Sequence, residues 1–387
     1  METNQHILFY SDALASFNYG SNHPFKPARA KVFYELLNRY SLIFEENQRI
    51  MVPQKLDETL LRLFHTAEYI RLLKLCNAGE FTINMLDFGI GSGDNPVVAG
   101  MLDFALDAAG ATYEGAMMLA GGRAAVVFNP HGGFHHARSD FAEGFCYVND
   151  IAIAITALIH QGKRVAYCDI DAHHGNGVQE AFYEDRRVLT ISLHESGESL
   201  YPWGGFVDET GSGDGKGFNV NIPFHAGTDD AIYLAAFDAV VPPLISAFRP
   251  DILFIECGGD AHKDDPLAHL NLTSRSYETV LKALKSLCPR IMATGGGGYD
   301  VHKTAAVWAL TWAALCGIKM TDAFAGLVGG MMYGPEARIS SLEDAPFRIS
   351  GPEEKQCRKE ADRVVDYIKK EIFPIHGLGT DLKSVPE

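Results

Sequence analysis

From residue 124 onward, short apolar runs alternate with longer segments of helical period, and this alternation constrains the fold more than any other feature. Strands are expected at 124–128, 164–170, 188–193, 218–222, 251–256 and 290–293. Helices are expected between or after them, at 149–160, 178–183, 229–248, 274–287 and 301–316. Strands connected through helices run parallel, and a parallel sheet needs helices on both faces. The expected fold class is α/β, a single domain with a mainly parallel β-sheet sandwiched by helices. The earlier part fits the same plan. It offers a strand at 6–10, a helix at 28–40 with Val32, Leu36 and Leu37 on one face, and a mostly helical stretch at 57–76 that breaks near His65. Residues 89–96 read as a Gly-rich loop, and 97–119 as one or two buried helices. No repeat or linker divides residues 1–374. Residues 353–372 read as a surface helix and 375–387 as a C-terminal tail.

Ligands of open parallel sheets bind beyond the carboxyl ends of the strands, and there this chain concentrates its chemistry. In an extended strand residues i, i+2 and i+4 point the same way, so Asp169, Asp171 and His173 leave the strand on one side. Two carboxylates and an imidazole aimed into one space repel and desolvate one another unless something positive sits among them. A divalent metal is the simplest such group; ordinary turn and N-cap chemistry is the alternative. Three further strand-end loops weigh against turns alone: Asn129–His136 with its paired histidines, Cys257–Asp260, and Thr294–Tyr299 with four consecutive glycines. Four glycines are entropically costly to order, so a close approach is expected there.

Composition limits the partners. Lys and Arg number 33 against 49 Asp and Glu, a net charge of −16. A basic nucleic-acid-binding face is therefore not expected, while cationic substrates are attracted. The seven cysteines form no CxxC pair and several lie in apolar runs, the usage of a reduced cytosolic protein. The N-terminus shows no signal-peptide pattern, and no apolar run looks long enough to span a bilayer. The expectation is a soluble cytoplasmic protein with no membrane partner; an oligomer is compatible with everything here. His131 and His174 read as loop residues, Met117, Met118, Met331 and Met332 as core filler, and Cys146 and Cys257 as buried packing thiols.

The segments Gly133–Ala137, Glu143–Asp150, Asp169–Gly177, Gly258–Asp260 and Gly295–Tyr299 together resemble the zinc-dependent histone deacetylase family, including its bacterial acetoin-utilisation and amidohydrolase relatives. They stand in the family's order, and the similarity covers roughly residues 6 to 340. The resemblance implies a deacetylase/arginase-type fold and one zinc ion held by Asp171, His173 and Asp260. It also implies His136 as general base, His135 as electrostatic support held by Asp169, and Tyr299 as the donor to the substrate carbonyl. Asn176 stands where some members have an aspartate that holds the second histidine. Gly144, Phe145 and Tyr201 match the acyl-lysine channel and Asp94 the rim residue that accepts peptide amides. Leu267 matches the channel mouth and Arg29 the internal cavity. Asp169, Asp171, His173, Ser192 and Leu193 match a potassium site. The implied substrate is an acetylated lysine in a protein or peptide, with an acetylpolyamine or other acetylated amine as the alternative. For the latter, an acidic residue at the channel mouth is expected, with Glu195, Glu198 and Asp264 the candidates. An arginase-like two-metal site would need an aspartate where Gly175 stands, and a non-catalytic binder would be expected to have lost ligands that are present here.

Overall fold

The computed structural model describes residues 5–43, 46–318 and 342–379. Among these, eight strands form one wholly parallel sheet: β1 (His6–Phe9), β2 (Gln48–Met51), β3 (Val126–Asn129), β4 (Val165–Asp169), β5 (Val188–Glu195), β6 (Asn219–Phe224), β7 (Ile252–Glu256) and β8 (Ile291–Thr294). Their order across the sheet is β2-β1-β3-β8-β7-β4-β5-β6. The helices are α1 (Asp12–Ala15), α2 (Arg29–Arg39), α3 (Ala67–Asn77), α4 (Met101–Ala120), α5 (Asp150–His160), α6 (Asn176–Phe182), α7 (Asp230–Phe248), α8 (Ser274–Leu287), α9 (Val301–Cys316) and α10 (Pro352–Glu371). The expected α/β architecture is the one observed.

Both faces of the sheet are covered. Leu8, Phe128, Cys168 and Leu253 pack with α2, α7, α8, α9 and α10. Their strand neighbours Ile7, Val127, Tyr167 and Phe254 point the other way and pack with α4, α5 and α6. This period-two division is the reason the inner strands read as almost continuously apolar. On α2 the inward face uses Phe33 with Leu36 and Leu37, and Val32 lies at its margin.

Two expectations need correction. The edge strand β2 was not foreseen: Arg49 and Ile50 are exposed, so no apolar pattern announces it. By length and composition α7 is apolar enough to cross a membrane, contrary to the expectation that no run is. Most of its apolar residues are buried against β5, α8 and α10, while Asp238 and Ser246 face out. Its first turn is capped by the Asp229 side chain, which accepts from the Ala231 and Ile232 amides. Past residue 374 a 3₁₀ turn, Phe373–His376, seats His376 against the Gly217 carbonyl. Met331 and Met332 lie outside the described residues.

Register aligns the site. Asn129 pairs with Thr294, Glu256 with Thr294, and Asp169 with both Glu256 and Ser192. The carboxyl ends of β3, β8, β7 and β4 are thus level, and four loops emerge side by side at the centre of the sheet.

Candidate active site

Asp171, His173 and Asp260 come together from the loops after β4 and β7. The His173 Nδ1 lies 3.1 Å from both Asp171 Oδ1 and Asp260 Oδ2, and all three residues are buried. The remaining carboxylate oxygens accept backbone amides, Asp171 Oδ2 from Gly297 at 2.8 Å and Asp260 Oδ1 from Ala172 at 2.8 Å. Four glycines now have their reason. A Cβ at Gly297 would lie 2.0 Å from Asp260 Oδ2 and 2.5 Å from Asp171 Oδ2. Only a bare backbone can come this close.

The donor set fits zinc. Its ligand atoms lie within 4.8 Å of one another, and two carboxylates buried together demand a compensating positive charge. Burial disfavours a charged His173, yet its bonds to Asp171 and Asp260 outweigh that and hold its pKa well above the ordinary value. The surroundings thus favour positive charge at the point where a cation would sit. Two oxygens and one nitrogen leave coordination positions open, as catalytic zinc requires.

Beside this cluster stand the paired histidines. His135 Nδ1 donates to Asp169 Oδ2 at 2.9 Å, and His136 Nδ1 donates to Asn176 Oδ1 at 2.7 Å. The two Nε2 atoms face each other at 3.1 Å. Their environments push them apart. Burial opposes charge on His135, but Asp169 and Asp171 outweigh it and raise its pKa. Burial, then His135 and His173, drive His136 well below the ordinary value. The two environments bias the pair in opposite directions, His135 towards the charged form and His136 towards the neutral one.

Tyr299 follows the glycines. Its ring is perpendicular to that of His173 at 6.1 Å and packs edge-on against Phe145 at 5.7 Å, so it faces the cluster rather than solvent. Arg29 is buried and donates to the Gly298 carbonyl at 2.6 Å and to the Gly296 carbonyl. It braces the loop that carries Tyr299, between the rings of Phe25 and Trp308.

The family model for the histone deacetylase domain matches residues 23–315. Histone deacetylase clr6 of Schizosaccharomyces pombe is 34% identical over 87% of this chain and 83% of its own length. Histone deacetylase 1 of Homo sapiens is 30% identical over 100% of this chain and 79% of its own. The chain belongs to the histone deacetylase family. Like that family it is a zinc-dependent deacetylase acting on acetyl-lysine. The crystal structure of an HDAC homolog from Aquifex aeolicus matches this deacetylase with a TM-score of 0.81 and 30% identity, over 94% of this chain and 100% of that one. A second HDAC homolog structure, complexed with SAHA, matches with a TM-score of 0.80 and 30% identity over the same shares.

Several of the residues that the resemblance matches to a substrate channel lie near the histidines and Tyr299. Glu143–Cys146 is a tight turn in which the Cys146 amide donates to the Glu143 carbonyl at 2.9 Å. Gly144 and Phe145 both have left-handed φ, +55° and +68°, the backbone of a type I′ turn. A Cβ on Gly144 would lie 2.2 Å from His136 Cδ2. Phe145 adopts a conformation that costs a non-glycine residue roughly 1–3 kcal/mol, and its ring reaches Tyr299 and His23. The Tyr201 ring packs edge-on against the His136 ring at 5.2 Å. Leu267 is 37% exposed, and Asp94 is exposed. Ser192 and Leu193 are buried in β5, and the Ser192 hydroxyl lies 2.8 Å from His194 Nδ1. At Gly175 a Cβ would meet Asp169 Oδ2 at 2.4 Å, so the two-metal arrangement has neither ligand nor room there.

Several participants were not singled out from the sequence. Tyr167 donates to Asp169 Oδ2 at 2.5 Å; lying two residues before it on one strand face, it was findable by the period-two rule. Asp265 accepts the Tyr299 amide at 2.7 Å and the Leu267 amide at 2.9 Å. Burial, then the Asp260 charge, push its carboxyl up to about 7. Glu256 is buried, and burial and then Asp171 raise its pKa well above the ordinary value, favouring the neutral acid. Glu143 stands beside Asn176, and nothing in its local sequence signals that contact.

Proposed function

We propose that this deacetylase hydrolyses the acetyl amide of N-ε-acetyl-lysine in proteins or peptides, with His136 as general base and Tyr299 as electrophile. The observation that carries the assignment is the geometry: the paired histidines, held at Nδ1 by Asp169 and Asn176, stand beside the Asp171–His173–Asp260 cluster with Tyr299 packed against His173. Zinc held by those three residues would lower the pKa of a water and polarise the amide carbonyl.

The chain's own groups do the rest. With Nδ1–H committed to Asn176, His136 offers the Nε2 lone pair to the water's proton. The water oxygen then bonds to the carbonyl carbon. His135 and the Tyr299 hydroxyl stabilise the negative charge that develops on oxygen. His136 returns its proton to the lysine nitrogen as the C–N bond breaks, giving acetic acid and the amine, and the acid's proton passes to the amine to leave acetate and the lysine ammonium. Phe145 and Tyr201 confine the aliphatic stem of the lysine, and Asp94, with its exposed carboxylate, is suited to accepting peptide amides at the rim.

The acetylpolyamine alternative gains little support. Of its three candidate acids, Glu195 is buried and bonded to Ser199 and His269, and Asp264 pairs with Lys263 and Lys303, which leaves the exposed Glu198. A potassium ion at Asp169, Asp171, His173, Ser192 and Leu193 belongs to the same reading. Its support is that Asp169 and Ser192 are register partners on adjacent strands. Turnover of an acetyl-lysine peptide and of acetylated putrescine, compared on the zinc-loaded protein, tests the substrate assignment. The peptide is expected to have the higher kcat/KM; the reverse order sinks the reading.

A further inference from the structure

The geometry points to Glu143 as a positioning residue that fixes the tautomer of the general base through Asn176. This rests on His136 being that base. An asparagine is an ambiguous partner for an imidazole, because its amide presents either an acceptor oxygen or a donor nitrogen with nearly the same shape. Turned one way it accepts from Nδ1–H and leaves a lone pair on Nε2. Turned the other way it donates to Nδ1, puts the proton on Nε2 and disables the base.

Glu143 removes the ambiguity. Its Oε1 accepts from Asn176 Nδ2 at 2.6 Å. An ionised carboxylate only accepts, so the amide nitrogen must face Glu143 and the amide oxygen must face His136. The carboxylate is itself fixed. Arg138 Nε donates to Oε1 at 2.8 Å, the Tyr201 hydroxyl donates to Oε2 at 3.2 Å, and the side chain is only 18% exposed. The turn through Gly144 and Phe145 sets Glu143 beside Asn176 and Gly144 against the His136 ring. One short turn thus supplies both the orienting charge and the floor beneath the base.

The arrangement also has an electrostatic consequence. A neutral amide alone stabilises an imidazolium less than a carboxylate does. Here a carboxylate stands one hydrogen bond further out and polarises the amide towards the ring, because linked hydrogen bonds strengthen one another. Placing a carboxylate directly at 176 would set two anions at hydrogen-bond distance, and one would have to take up a proton.

The test is a four-variant set in the zinc-loaded protein: Glu143→Leu, Glu143→Gln, Asn176→Asp, and Asn176→Asp with Glu143→Gln. Activity on an acetyl-lysine peptide is read alongside ¹⁵N NMR of imidazole-labelled protein. In the parent protein His136 is expected as a single Nδ1–H tautomer. Glu143→Leu should lower kcat about tenfold or more, with zinc content unchanged, and introduce the Nε2–H tautomer. Asn176→Asp should also lose activity. The double variant restores a donor opposite an acceptor and should recover about tenfold over Asn176→Asp alone. The inference is overturned if Glu143→Leu leaves the His136 tautomer unchanged, or if the double variant shows only the product of the single effects. Should the parent protein fail to turn over the peptide, the functional reading fails, while the ¹⁵N spectra still judge the role of Glu143.

Discussion

Tyr299 places one phenol across the cluster from the paired histidines, with its ring held by His173 and Phe145 and its backbone by Asp265. Tyr299→Phe deletes a single hydroxyl and none of those packing contacts. Removing one donor to a developing oxyanion costs about 100- to 1,000-fold in kcat, so that loss is expected with KM and zinc content nearly unchanged. Steady-state kinetics with zinc analysis on the same preparation checks it; a kcat within a few-fold of the parent would remove Tyr299 from the chemistry. At this scale the sequence was legible where spacing carries the signal. Asp169, Asp171 and His173 alternate on one strand end, and their shared direction follows from strand geometry alone. Glu143 and Asp265 were not legible, because their partners lie 33 and 34 positions away and only the tertiary fold brings them together.

Among the elements, the turn Glu143–Cys146 and the glycine run Gly295–Gly298 do comparable work. Each brings bare backbone within van der Waals distance of a reacting side chain. Gly144→Ala would combine a left-handed φ with a Cβ driven into the His136 ring, and the ring is the softer of the two. The expected outcome is a folded protein whose Tm falls by a few degrees while kcat/KM falls about 100-fold, since small misplacements of a catalytic group cost that much. Circular dichroism melts and kinetics on the same sample check it; an activity loss no larger than the stability change predicts would contradict it. The glycine run was readable beforehand because four glycines in a row are too costly to be neutral. The turn was not: Gly-Phe lacks the Asn-Gly signature of its backbone class, and the Phe145 ring is packed against Tyr299 and His23 rather than placed by preference. The edge strand β2 escaped notice for the complementary reason, since it has little buried surface to pattern.

Over the whole molecule, acidic charge and a buried acidic centre couple folding to metal and proton. Without zinc, His173 holds its proton far above the ordinary imidazole value of 6.5. A raised folded-state pKa contributes stability that is complete below the unfolded value and lost as pH climbs through the folded one. The zinc-free protein should therefore lose stability as pH rises through that window. Zinc must displace the same proton, so its affinity should strengthen over the same range and its binding should release protons. Calorimetry in buffers of differing ionisation enthalpy measures the release, and melts with and without zinc measure the opposed pH trends. A pH-independent zinc affinity would mean that His173 is not a ligand.

The level strand ends have one more consequence, and it concerns time rather than geometry. The strand carrying Asp169 is hydrogen-bonded on both sides, to β7 and β5, deep within an eight-stranded sheet. No partial fraying of an edge exposes it, so its amides open only when the whole domain does. In native-state hydrogen exchange, Ala166, Tyr167 and Cys168 should be among the slowest amides of the chain, and Gln48 to Met51 on the outermost strand far quicker. If so, the protein cannot loosen its metal ligands by a local breath of that strand. Whatever lifetime the bound ion has would be set by its ligand chemistry, up to the limit fixed by how often the entire fold comes apart.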